Sequence, residues 1–163
     1  MNNDLISRKY ELTEEKKVFL GRTLYRIRAL KDFELLDGTI IHAGDLGGWI
    51  EKEDNLSQEG SAWVYDNARV SGDAWVYDNA RVSGNALVYR IEHIMTFGPA
   101  GSRNGATTFY RNKNNGISVT CGCFNGSIED FLARVNETHG DNKHGQVYRA
   151  AAELAKLQID LEG

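Results

Sequence analysis

Residues 62–89 read AWVYDNARVSGDAWVYDNARVSGNALVY. A twelve-residue unit occurs twice almost unchanged, and each unit is itself two related six-residue phrases. Valine recurs every six residues at Val64, Val70, Val76, Val82 and Val88, and alanine at Ala62, Ala68, Ala74, Ala80 and Ala86. In an extended Ala-Trp-Val-Tyr stretch, alternation turns alanine and valine to one side and tryptophan and tyrosine to the other. Asp-Asn, Gly-Asp and Gly-Asn follow, dipeptides that accept the positive φ of a sharp turn. The pattern predicts a short strand, a turn and another short strand, repeated so that neighbours stack over one shared core. A β-meander turning at the same dipeptides is the alternative.

From Leu56 to Tyr89 the chain resembles the hexapeptide-repeat, left-handed β-helix proteins. In that family three phrases make one coil. The resemblance therefore implies Trp63 over Arg81 and Arg69 over Leu87, each 18 residues on. The two near-identical dozens then fall out of phase with the three faces. Fewer than two coils cannot stand alone, so capping by flanking segments or self-association is expected. The resemblance implies a homo-oligomer, with a trimer favoured. More widely, KYELT, LYRIRALKDF, AGDLGGWIEKEDNLS and WVYDNARV resemble segments of uncharacterised phage and prophage proteins. So do the C-terminal GPAGSR, TTFYR and CGCF…THGD. This resemblance implies a mobile-element origin and brings no chemistry with it.

Working outward, the 163 residues fit one domain or two small ones, and 41% hydrophobic residues suffice for a core. A net charge of -4 argues against a dominant double-stranded DNA footprint. No apolar run is long enough to cross a bilayer and no signal peptide is evident, so a bacterial cytoplasm is the expected address. The sequence divides into an N-terminal arm with capping strands (1–55), the repeat (56–90) and a C-terminal module (91–163). In the first, YELTEEKKVFLG reads as a short helix or ordered arm, LYRIRAL as a half-buried strand and LDGTII as an Asp-Gly hairpin. In the last, IEHIMTF, ATTFYRN and GISVTCGCF read as three short strands. Ser127 to Asp130 reads as a helix start and Gly140 as its end. A second helix from Asp141 or Asn142 is expected to bury Val147, Ala151, Leu154 and Ala155. The fold class is mainly β, a short left-handed β-helix followed by a small α+β domain.

Several groups of residues carry candidate chemistry. The loop from Gly98 to Gly105, followed by a strand, offers an anion site from Gly101, Ser102, Arg103, Thr108, Tyr110 and Arg111. Glycines let backbone N–H groups approach an anion, and the arginines add a fork of donors. An ordinary solvated hairpin loop is the plain alternative. Cys121, Cys123, His139 and His144 form a candidate zinc set, although the thiol spacing is tighter than usual. A cysteine nucleophile with His139 as base is a further arrangement, lacking an orienting third group. Trp63, Tyr65, Trp75 and Tyr77, read as outward-facing, suit a subunit interface or, with Arg69 and Arg81, stacking on bases or sugars. Enzymes of the hexapeptide family are acyltransferases with a histidine base on the coils. Residues 56–89 hold no histidine; His42 precedes them and His93 follows.

No catalytic residue is assigned and no cofactor is expected. The sequence favours a non-enzymatic, oligomeric binding protein of phage type. Its expected ligand is an anionic small molecule, such as a nucleotide immune signal of the host, held by the GPAGSR and TTFYR segments. The alternatives are a scaffold gripping a host or virion protein, and an acyltransferase.

Overall fold

A computed structural model describes residues 8–35, 38–101 and 105–161. The chain is mostly strands with two helices. Strands β1 (Tyr10–Phe19) and β2 (Arg22–Ala29) pair antiparallel, so YELTEEKKVF is a strand rather than a helix. Leu20 and Gly21, both at positive φ, make the tight turn between them. Strand β3 (Phe33–Glu34) pairs antiparallel with β4 (Ile40–Ile41). The expected hairpin is present, although Leu36 and Asp37 lie outside the described residues. Strand β5 (Leu46–Ile50) joins β2 antiparallel and leads into the repeat.

The repeat supplies β6 (Trp63–Val64), β7 (Arg69–Val70), β8 (Arg81–Val82) and β9 (Leu87–Val88). Pairing is parallel, with Trp63 on Arg81 and Arg69 on Leu87, the expected register. At the entry the offset is wider, Ile50 pairing with Val70 and Leu56 bridging Val76. One sheet therefore runs β1-β2-β5-β7-β9, and β6-β8 form a second. Every alanine and valine of the six-residue pattern is buried. Asp66 and Asp78 adopt positive φ at the two Asp-Asn turns, and Gly72 does so at its own turn. Gly72 is further constrained, because a Cβ there would stand 2.2 Å from the Tyr89 carbonyl oxygen.

The two near-identical dozens have different surroundings. Trp63 is only 1% exposed, packed edge-on against Phe33 (5.2 Å) and Tyr10 (6.3 Å). Trp75 is 51% exposed and stacks on Tyr77 at 4.3 Å. Twelve is not a multiple of the 18-residue offset, so the second tryptophan falls on another face, beyond the reach of the β3–β4 hairpin. The expectation that Trp63 faces outward is corrected accordingly.

Both ends of the repeat are sealed. At the start, the Tyr10 hydroxyl donates to the Leu56 carbonyl (2.6 Å), and Asn55 donates to the Gly72 and Ala74 carbonyls. The buried Lys9 ammonium faces the carbonyls of Glu59, Gly60 and Ala62. At the far end a sheet of β10 (Ile94–Ala100), β11 (Gly105–Arg111), β12 (Ile117–Cys121) and β13 (Phe124–Ser127) covers the last strands. Arg81 N–H donates to Thr108 Oγ1 and the Arg81 carbonyl accepts from Thr120 Oγ1, at 3.2 and 2.8 Å. These hydroxyls take the place of a further parallel strand, since ladder groups left bare in a buried edge are costly.

The C-terminal sheet has four strands, not three. Gly122, at φ +55°, turns CGCF into a hairpin that splits the expected third strand. Helices α1 (Ile128–His139) and α2 (Lys143–Gln158) begin at the N-caps Ser127 and Asn142. They pack on the sheet face that carries Phe109 and Val119. In α2 Tyr148, Ala151, Ala152 and Ala155 are buried, whereas Leu154 is 52% exposed, contrary to expectation. No described helix is long and apolar enough to cross a membrane.

Candidate functional site

Strand β11 aims its two faces at different partners, which sets the role of the TTFYR segment. Thr107 and Phe109 point to the helices, while Thr108 and Tyr110 point to the repeat. Thr108 holds the Arg81 amide, and the Tyr110 hydroxyl lies 3.3 Å from Ser83 Oγ. Burial raises the pKa of Tyr110, so it stays a neutral phenol. Arg111 is buried and donates to Tyr89 Oη and to Asn115 Oδ1, each at 2.8 Å. Its other close neighbour is His93 Nε2 at 3.4 Å. These three side chains join the C-terminal sheet to the repeat. Gly101 packs against the Tyr148 hydroxyl, and Ser102 and Arg103 lie outside the described residues.

Of the cysteines and histidines, Cys121 and His139 both lie beside Tyr148, the first at 4.0 Å from its hydroxyl and the second stacked on its ring. Cys121 is half-buried, its sulfur accepting from Thr107 Oγ1 at 3.2 Å, while Cys123 is exposed within the hairpin turn. His139 stacks on Tyr148, and its ring centre lies 5.5 Å from that of His144. Burial, then the neighbouring Cys121, pushes the Tyr148 pKa up to about 12. Among the described residues no three His, Cys, Asp or Glu side chains converge as a metal site requires. His93 is fully buried, and its Nδ1 accepts from the Tyr89 amide. Burial and then Arg111 and Arg90 lower its pKa, so it is a neutral structural ring. His42 is exposed, with Nδ1 3.8 Å from Asp32 Oδ2. Of the four aromatics, Tyr65 and Tyr77 are half-buried beside the buried Trp63 and the exposed Trp75.

A different region concentrates charge. Arg26, Trp49, Arg69 and Leu87 form one row across β2, β5, β7 and β9. The β1 strand folds over this row. Lys17 Nζ sits 4.0 Å over the Trp49 ring, with the Arg26 guanidinium 5.4 Å from that ring. The Arg69 guanidinium sits 4.2 Å over the Phe19 ring. Lys113 arrives from the turn after β11, whose amide donates to the Asn85 carbonyl. A cleft of about 800 Å³ results, lined by Lys17, Arg26, Arg69 and Lys113 with Asn67, Asn85 and the carboxylate of Asp66.

The charge of this cleft is not neutralised from within. Lys17, Arg69 and Lys113 form no ion pair among the described residues, and Arg26 donates to the Gly47 carbonyl. Arg69 Nε and Trp49 Nε1 are buried N–H donors without an acceptor. Burial, then Arg69 and Arg26, lower the Lys17 pKa, with Glu15 opposing. Stacking on rings holds these cations close together despite their repulsion. Sequence reasoning named Arg69 only as a partner for stacked bases and missed the rest. The Arg-Ile-Arg alternation in β2 and the outward arginine of DNARV were available signals. Nothing in the sequence joins Lys17 to Lys113.

Comparison with known proteins bears on the frame. The YdcK β-solenoid repeat family model matches residues 62–78 and 74–90. The chain carries a β-solenoid repeat. It is also similar to a protein of Escherichia coli (strain K12) named uncharacterized acetyltransferase YdcK, 39% identical over 67 residues. That match covers 36% of this chain and 19% of the relative, so the chain spans about a fifth of its length. No solved structure matches.

Proposed function

We propose that the protein is a non-enzymatic, oligomeric binding protein whose short left-handed β-helix presents a cleft for an anionic small molecule. The observation that carries this reading is the surplus of cations around Lys17, Arg26, Arg69 and Lys113, facing one lining carboxylate. Cations crowded without counter-charge repel one another, and an anion with several oxygen acceptors relieves that repulsion. The volume suits a ligand up to nucleotide size. The exposed Trp75–Tyr77 stack is the surface through which copies associate, as a trimer. With a phage origin, the use proposed is sequestration of an anionic host signal. Titration calorimetry with pyrophosphate and a nucleotide panel tests the site. Arg69→Ala and Lys17→Ala are expected to weaken binding at least about tenfold. Unchanged binding in both, with loss in Arg103→Ala, would move the site to the Gly101 loop.

A second reading, acyl transfer, is favoured by the likeness to a protein named as an acetyltransferase. His42, paired with Asp32 at the surface, is the histidine free to serve as base. Acetyl transfer lost in His42→Ala, with binding intact, would establish it.

A further inference from the structure

The basic cleft does not end at its cations. A second concavity of about 300 Å³ adjoins it and shares two lining residues with it, Arg26 and Asp66. Its character is different. Leu35, Ile41, Leu46, Trp63 and Tyr65 share its lining with Thr39, Asp45, Arg26 and Asp66, on the side where the β3–β4 hairpin lies against the repeat, and of the first five Leu46, Ile41 and Tyr65 are the ones with exposed surface. Leu46 is 51% exposed at its rim, an aliphatic side chain that the protein's own packing does not cover. Arg26 is the cation common to both concavities, and Asp45 is the acidic group that the second one adds. The Asp45 carboxylate accepts the His42 amide at 2.9 Å, so its charge is partly engaged. The combined trough is therefore cationic at one end, while the other end adds exposed apolar surface at Leu46, Ile41 and Tyr65 alongside its polar groups.

We propose, resting on the anion-binding reading, that the ligand is an organic anion with an apolar body, a phosphate or carboxylate joined to an acyl chain or aromatic ring. The anionic head sits among Lys17, Arg69 and Lys113. The body passes Arg26 and lies along Leu46, Ile41 and Tyr65. A bare inorganic anion fills one end and leaves apolar surface in water at the other, so affinity depends on the body. Each methylene buried along Leu46 strengthens binding about fourfold, until the groove is full. An aromatic body gains instead in one step, by stacking at Tyr65.

The test is calorimetry at fixed ionic strength with pyrophosphate, a series of n-alkyl phosphates and phenyl phosphate. It uses the wild-type chain, Leu46→Asn and Arg69→Ala. Affinity is expected to climb along the alkyl series or to jump at phenyl phosphate, and the steeper arm tells an acyl from an aromatic body. Leu46→Asn, a surface change, is expected to abolish that gain and leave pyrophosphate binding unchanged. Arg69→Ala is expected to weaken every ligand alike. Pyrophosphate binding with no dependence on chain or ring would overturn this proposal and leave the anion site standing. Failure of every ligand, pyrophosphate included, would overturn both.

Discussion

Lys9 predicts an unusual dependence of stability on pH. Its side chain is fully buried where the N-terminal strand meets the repeat, with Nζ 2.5 Å from the Ala62 carbonyl oxygen and the Phe33 ring beneath it. Loss of hydration, then the nearby charge of Lys31, lowers its pKa from 10.5 to about 8. Between those two values the unfolded chain holds a proton that the folded chain has released. Stability therefore rises with pH across this window and is weakest below it. The slope approaches ~1.4 kcal/mol per pH unit, amounting to about 3 kcal/mol over the window. Lys9→Met keeps the length of the side chain and removes the titration. Burial raises the pKa of neighbouring Tyr10, which opposes the trend above pH 10, its ordinary value. That effect is present in both proteins and cancels in their difference. Urea unfolding of the two at about pH 7.5, 8.5 and 9.5 gives the result directly. The stability of wild type minus that of Lys9→Met is expected to grow by about 0.7 kcal/mol from the first pH to the second and about 1.2 kcal/mol from the second to the third. Parallel curves would refute the reasoning, and would mean that the three carbonyls replace water fully around the ammonium.

Three further outcomes follow from particular contacts. Gly72→Ala and Gly84→Ala both place a side chain at positive φ, at a cost of ~1 kcal/mol, but a Cβ at 84 meets open space. Gly72→Ala is therefore expected to lower the thermal midpoint much further, by the clash with the Tyr89 carbonyl. Trp63→Ala should cost about 3–5 kcal/mol in denaturant unfolding, whereas Trp75→Ala stays within about 0.5 and instead reduces the assembly mass in sedimentation. Arg111→Leu strips hydrogen bonds from Tyr89 and Asn115 and should cost about 2–4 kcal/mol, measured by calorimetry.

The repeat was legible because its period is a packing rule. Val70 and Val88 face inward for the same reason, and the 18-residue register followed from three phrases. Trp63 was misread because strand alternation says which side a ring takes and not what covers that side. Its cover, Tyr10 and Phe33, lies 53 and 30 residues earlier in the chain. The C-terminal helices announced themselves through Ser127 and Gly140. The break after Cys121 was hidden because Gly122 sits inside an otherwise regular alternation. The TTFYR side chains suit a ligand by their donors alone, yet an edge that must be sealed selects the same hydroxyls. The basic cleft stayed invisible because its cations come from four separate segments, and only tertiary packing brings them together.

The sealing of both ends also dictates how this repeat can change length. Lys9, Tyr10 and Asn55 fix which face leads, and Thr108 and Thr120 fix which strand comes last. Inserting one more twelve-residue unit, the step that the sequence itself displays, would deliver the wrong face to Thr108. An insertion of 18 residues restores the phase between the two caps. Duplication by the visible unit and growth of the folded protein are therefore incommensurate. Lineages of this chain should differ in length by whole turns or not at all.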